Sequence, residues 1–253
     1  MACSHRPRQQ KAVKIQESTI KAFDRYVAAV ERDTQARLDG RKPFVVVDDE
    51  PRGRIRLLGG DVIVRAYTEE VAIPGGMVHD WYGVLFIPDV KVEKVLGVLR
   101  DFDRYKEIYQ DITHSETLSA EGDFYRNRLR FEKNVTLRVV LNAEHEVTFK
   151  QVDEHRWYVV SRATKITEVV NPGKPNESEL PVGDDSGFLW RMVTSWGLEE
   201  ADGGVYVQLG TVSLTRRIPF GLEWLIKPYV RSIPRQAMES LLHSTQIAAK
   251  TAK

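Results

Sequence analysis

The chain has 253 residues, 42 % of them apolar and 29 % charged, and 37 basic against 36 acidic side chains leave a formal net charge of +1. This is an ordinary globular profile, long enough to bury roughly 70–75 % of the unfolded surface. It speaks against nucleic-acid binding, and against an integral membrane segment, because no apolar run reaches the ~18–20 residues that a bilayer span needs.

The single cysteine, Cys3, stands in the polar leader MACSHRPRQQ. An internal disulfide and a cysteine-based metal site are therefore not expected. The leader is basic and lacks the apolar stretch of a signal peptide, so residues 1–10 read as the disordered start of a cytoplasmic chain. The Ala-Cys pair beside Met1 also fits an exported protein whose signal has been removed.

Residues 11–39 read as a helix, with Val13, Ile20, Phe23, Val27, Val30 and Leu38 at helical spacing and Gly40 to end it. Such a stripe suits either packing on a main domain or engagement of a partner. PFVVVDDE, from position 43, then reads as a short apolar strand, and GRIRLLGGDVIVRAYTEE alternates around a Gly59-Gly60 turn. Residues 11–75 are thus expected to form an N-terminal helix with accessory strands, ahead of a main domain at 76–250. In that domain MVHDWYGVLFIP (77–88) is a strand ended by Pro88. DVKVEKVLGVLRDFDRYKEIYQ follows as a helix striped by Val92, Val95, Leu96, Leu99 and Phe102 and capped by Asp89.

Strands are predicted next at 112–119, 123–133, 135–151, 155–169, 187–200 and 204–215, several joined by hairpin-length turns such as AEGD, DEH and EADGG. The connection 171–187, rich in proline, glycine and acidic residues, has the character of a lid or of a solvated excursion. GLEWLIKPYV reads as a short helix interrupted at Pro228. A long last helix follows, with Ser232 as its cap, Pro234 in its first turn, and Ala237, Met238, Leu241, Leu242, Thr245 and Ala248 as its stripe.

Alternation assigns side chains to faces. In FLWRMVTSWGLEE (188–200), Phe188, Trp190, Met192, Thr194, Trp196 and Leu198 fall on one side. Large aromatics with a pliable methionine suit either a plain core or a pocket. In LRVVLNAEHEVTF, His145 shares a face with Leu137, Val139, Leu141, Ala143, Val147 and Phe149, while Glu144 and Glu146 point away. A histidine so placed is either a core residue satisfied by a backbone or hydroxyl partner, or a polar anchor or acid/base group with a pKa near neutrality. Arg126, Arg128 and Arg130 lie opposite Tyr125, Leu129 and Phe131; cross-strand pairing with Glu144 and Glu146 beside Arg138 on the adjacent strand explains them, with an RNA- or phosphate-binding stripe as the alternative that the lack of interleaved aromatics disfavours. His79 and Asp80 face opposite ways, and His114, His155 and His243 show no ligand spacing. H-E-x-x-H, G-x-S-x-G, G-x-G-x-x-G and a phosphate loop are absent from the sequence, so no metal and no cofactor are expected.

Four stretches carry a family likeness: WYGVLFIPDVKVEKVLGVLRDFDRYKEIY, GFLWRM, DGGVYVQLGTVSLTRRIPFGLEWLIKPYV and SIPRQAMESLLHSTQIAAK. Together they resemble the START-like and polyketide cyclase-dehydrase (SRPBCC, helix-grip) superfamily over about residues 76–250, and within it a group of bacterial proteins. The resemblance implies an α+β fold, a curved antiparallel sheet wrapped around a long C-terminal helix, with an elongated apolar tunnel between them. It further implies binding or carriage of a lipid, sterol or polyketide-like molecule. The expected lining is Leu141, His145, Trp190, Met192, Trp196, Val207, Leu209, Met238 and Leu241. Two other functions stay open: a polyketide cyclase/dehydrase-type enzyme using His145 as acid/base, and a protein–protein interaction module in which residues 11–39 engage a partner.

Overall fold

The computed structural model describes residues 13–68, 70–134, 138–217 and 223–252, the side chains of 223–233 excepted. The leader with Cys3, and Leu137, lie outside the described residues. Strand β1 (Val13–Lys14) precedes helix α1 (Glu17–Leu38), whose first turn carries Glu17 and whose last carries Arg37, as the helix dipole favours. A 3-10 turn (Val46–Asp49), helix α2 (Gly53–Leu58) and strands β2 (Ile63–Ala66), β3 (Val71–Ile73) and β4 (Gly76–Pro88) follow.

Two stretches expected to be strands are therefore helical turns. Val45, Val46 and Val47 are buried against Ile63, Val84 and Tyr206, and the Val46 N–H donates to Gln208 Oε1 at 2.7 Å instead of to a strand neighbour. Packing overrides the β preference of valine here.

Helix α3 (Val92–Arg100), a 3-10 turn (Phe102–Arg104) and helix α4 (Tyr105–Ile108) stand where one helix is predicted. Lys91, not Asp89, occupies the N-cap position, while Asp89 sits at φ 61 and donates its N–H to the Gly203 carbonyl at 3.0 Å. The chain continues through β5 (Ile112–Glu121), β6 (Phe124–Asn134), β7 (Arg138–Gln151), β8 (Arg156–Val170), β9 (Ser178–Glu179) and β10 (Asp184–Asp185). It ends with β11 (Arg191–Ala201), β12 (Gly204–Arg216) and α5 (Glu223–Thr251). Helix α5 runs through both Pro228 and Pro234, so Ser232 lies inside it and does not cap it.

The main sheet is antiparallel in the order β2-β4-β12-β11-β8-β7-β6-β5, with β3 added on β4. One face, the inner one, holds α5 and α3. Leu85, Ile87, Phe149, Val159, Leu198, Val207 and Leu209 pack there against Val95 and Leu99 of α3 and Met238, Leu242 and Ala249 of α5. Gly83 makes this seat possible, because a Cβ on it would stand 2.7 Å from Leu242 Cδ1. Tyr109 O–H and Thr245 Oγ1, 3.0 Å apart, tie the loop after α4 to α5. The architecture is the α+β helix-grip fold.

The outer face is covered by the N-terminal segment. Phe44, Val45, Val47 and Leu57 pack on Val84, Phe86 and Tyr206, and Phe23 and Val27 of α1 pack on Val78, Val212 and Leu214. The 171–187 connection is fastened and not free: β9 pairs with β8, β10 pairs with β1, and Arg130 grips Glu177 through two contacts of 2.8 and 3.0 Å. On the solvent side of the strands Arg128 bridges Glu116 and Glu144, Arg126 faces Glu146, and Arg138 pairs with Glu132. Among the described residues no helix is long and apolar enough to cross a membrane.

Candidate functional site on the inner face of the sheet

The inner face changes character along the strands. Two cross-strand rows, Leu85–Val207–Leu198–Trp157 and Gly83–Leu209–Trp196–Val159–Phe149, are apolar and lie beneath α5 and α3. The next row is Trp81–Thr211–Thr194–Ser161–Val147–Tyr125, with three hydroxyls at its centre. Beyond it come His79–Ser213–Met192 on one half of the sheet and Ala163–His145–Asn127 on the other. Met192, Thr194, Thr211, Ser213 and Ser161 are only half-buried, and none of them belongs to a packed apolar cluster among the described residues.

His145 is 3 % exposed, with the Phe131 ring edge-on to it at 6.1 Å between centroids. Its Nδ1 has no hydrogen-bond partner among the described residues. Burial holds its pKa down at about 4, so the ring is neutral at physiological pH. Asn127 stands directly across the β6–β7 pair, 1 % exposed, and its Oδ1 is likewise without a partner. At the far side of the face His79 is 6 % exposed; its Nε2 lies 2.9 Å from Thr215 Oγ1, its Nδ1 has no partner among the described residues, and burial lowers its pKa.

A buried polar atom left unpaired costs about 1–3 kcal/mol, so such atoms are rare and call for a reason. Three of the four among the described residues lie on this one face; the fourth is Arg100 Nε. A register shift in the β7–β8 pairing falls between Glu144 and His145, leaving Thr164 as the extra residue on β8. Bulges of this kind re-aim neighbouring side chains and are frequent beside binding sites.

The expected lining residues separate into three groups. His145, Leu141 and Met192 lie on the inner face at its polar end, Leu141 opposite Phe131. Trp196, Val207, Leu209 and Met238 are buried in the close-packed cluster under α5, with Leu241 packed against it, so they form the apolar end. Trp190 is the correction. It lies on the outer face with Phe23, Val27, Val212 and Leu214, and its indole Nε1–H donates to Asp185 Oδ1 at 2.8 Å. Alternation fails there because β11 begins only at Arg191, after Gly187 at φ 76 has turned the chain. The indole N–H then takes the buried acceptor that Asp185 of β10 supplies.

Asn127 and the His79–Thr215 pair are additional to the residues expected from sequence, although alternation already puts Asn127 with Tyr125 and Leu129, and His79 with Trp81. The expected opposition of His79 and Asp80 is present: Asp80 lies on the outer face, where it accepts from Tyr26 O–H at 2.9 Å.

No protein-family model and no curated protein sequence matches this chain. Solved structures do. A STAR-related lipid transfer protein (fragment 25–204) from Xanthomonas axonopodis is 18 % identical, with a TM-score of 0.50 over 75 % of this chain and 99 % of that one. The Zhui aromatase/cyclase from Streptomyces sp. R1128 is 11 % identical, with a TM-score of 0.47 over 68 % and 94 % of the two chains. Human STARD10 is 10 % identical, with a TM-score of 0.47 over 76 % and 74 %. At such identities the likeness to the Xanthomonas protein shows a shared START-like fold.

Proposed function

We propose that this protein binds and carries a mainly apolar small molecule on the inner face of its sheet, with one polar end of the ligand at His145 and Asn127. The observation that carries this reading is the pair of buried atoms His145 Nδ1 and Asn127 Oδ1, which face each other across two strands and have no hydrogen-bond partner among the described residues. The fold supports it as well, since it is shared with a protein named for lipid transfer. The apolar body of the ligand would lie along Trp81, Met192 and the hydroxyl row toward Trp196 and Leu209. Burying ~300 Å2 of apolar surface there contributes roughly 7–8 kcal/mol before the cost of ordering the ligand is subtracted.

The polar end is constrained by its two neighbours. Asn127 Oδ1 only accepts, and a neutral imidazole nitrogen donates or accepts but carries no charge. A hydroxyl satisfies both atoms, whereas an ionised carboxylate meets an acceptor with no cation to offset it. Sterols, long-chain alcohols and phenolic polyketides therefore fit better than fatty-acid anions. Acid/base catalysis by His145 is the weaker reading, because a pKa of about 4 makes a poor general base at neutral pH and no carboxylate orients the ring among the described residues.

Native mass spectrometry of freshly purified protein, followed by organic extraction, tests the reading directly. Titration with 1-dodecanol and with dodecanoate then compares the two head groups through tryptophan emission from Trp81 and Trp196. The alcohol is expected to give the saturable shift and His145→Ala to weaken it while the fold stays intact. No extracted molecule, together with no saturable response to either probe, would reject the carrier function.

A further inference from the structure

Behind the sheet, α1 touches β12 through Phe23 and Val27 but leaves a gap beside that contact. The gap is a hollow of about 110 Å3, walled by Val27 and Val30 of α1 and by Val193 and Val212 of the sheet. Its floor is made where side chains are small: Ser195, Gly197 and Gly210. A Cβ on Gly210 would stand 2.8 Å from Ser195 Oγ, and the nearest neighbour of one on Gly197 is the Phe44 ring at 3.5 Å. Glycine inside a strand weakens it, and it often marks a place where something else approaches the backbone.

One charged group on the wall of this hollow is unbalanced. Asp80 is 7 % exposed; its Oδ2 accepts from Tyr26 O–H, and neither carboxylate oxygen meets a lysine, arginine or histidine among the described residues. The other acids on the wall are neutralised: Asp33 by Arg37 and Lys42, and Glu31 by Arg162. Burial pushes the Asp80 carboxyl up, as expected for an acid without a cation. Tyr67, Tyr82 and Tyr158 line the same hollow, the first two edge-to-face with centroids 5.8 Å apart.

We infer that the hollow between α1 and the sheet is a second ligand site, which takes a small amine with an apolar body about the size of one aromatic ring. The size follows from the volume, since an apolar cavity of ~150 Å3 holds benzene and this one is smaller but open on one side. The charge follows from Asp80, which an ammonium would pair through a charge-assisted hydrogen bond, with tyrosine faces adding cation–π attraction. The hollow opens on the outer face and shares only Trp81 and Thr211 with the inner-face row, so the two sites are told apart by which methyls respond.

Methyl-detected NMR of the full chain, titrated with benzylamine, toluene and benzoate, tests it. Benzylamine is expected to give saturable shifts at the methyls of Val27, Val193 and Val212, with toluene weaker and benzoate without effect. Asp80→Asn, which keeps shape and loses charge, should reduce benzylamine affinity roughly tenfold, to near that of toluene, the worth of one charge-assisted contact. Gly197→Leu should fill the hollow and abolish all three responses, with circular dichroism checking that the variant is folded. The proposal is overturned by the absence of saturable benzylamine shifts, by shifts confined to the inner face around Met192, by benzoate binding as well as benzylamine, or by unchanged affinity in Asp80→Asn.

Discussion

Replacing His145 by leucine exchanges a buried titrating ring for an apolar side chain that fills much of the same space. In the folded chain the imidazole pKa is held at about 4, against an ordinary value of 6.5. As pH falls through that interval the unfolded chain takes up a proton that the folded chain refuses. The stability contribution of this group is therefore complete above pH 6.5 and is lost as pH falls toward 4. At ~1.4 kcal/mol per unit of pKa difference, the loss integrates to about 3 kcal/mol. In ligand-free His145→Leu protein that increment disappears, while every carboxylate and His79 still titrate as before. The stability difference between parent and variant should thus grow by about 3 kcal/mol in favour of the variant between neutral pH and pH ~4. At neutral pH the variant should already be at least as stable, because the partnerless Nδ1 and its burden of about 1–3 kcal/mol are gone. Urea unfolding followed by circular dichroism across this range reads both quantities. Equal pH slopes for the two proteins would refute a buried imidazole held neutral in the folded chain.

Trp190→Phe should cost about 1–2 kcal/mol, because Asp185 loses its indole donor in a buried site. The emission response to an inner-face ligand should survive that change, and its loss would return Trp190 to the ligand face. Gly83→Val should destabilise by about 1–3 kcal/mol through collision with Leu242, and Leu242→Ala in the same chain should recover part of it, measured as a coupling energy in a double-mutant cycle. Arg130→Ala, which unties an exposed fork on Glu177, should change stability by no more than about 1 kcal/mol, and high salt should shrink that difference.

The long strands were legible because one buried face imposes a period of two on β4, β7, β11 and β12, and short turns give the hairpins away. The 43–58 stretch was not legible. Its valines have the composition of a strand, and only their fit onto Ile63, Val84 and Tyr206, residues distant in sequence, makes them a 3-10 turn. The last helix was recognised by its stripe, but its start was misplaced at Ser232 because a proline inside a helix normally marks a boundary. At the candidate site, attention to large apolar side chains picked out the packed end, Trp196, Val207 and Leu209, and passed over Asn127, which alternation had already put on the right face. Trp190 was beyond reach for a different reason: parity holds only within an unbroken strand, and the break at Gly187 carries no apolar signal.

The pairing of β4 with β12 has a consequence for the order in which the molecule assembles. Its neighbour β12 pairs with it from Gly204↔Pro88 to Arg216↔Gly76, so the two partners are made far apart in time. At ~5–20 residues per second, the roughly 115 residues between Pro88 and Gly204 take about 6–23 s to synthesise. Throughout that interval β4, with its VLFIP run, presents an unpaired edge, and α5 has not yet been made to cover its inner side. The β5–β8 meander is free to form early from local hairpins, whereas closure of the sheet waits for the last strand and helix. A nascent chain arrested before residue 204 therefore exposes an apolar edge that the finished fold pairs, the kind of edge that chaperones hold and that otherwise pairs with another chain.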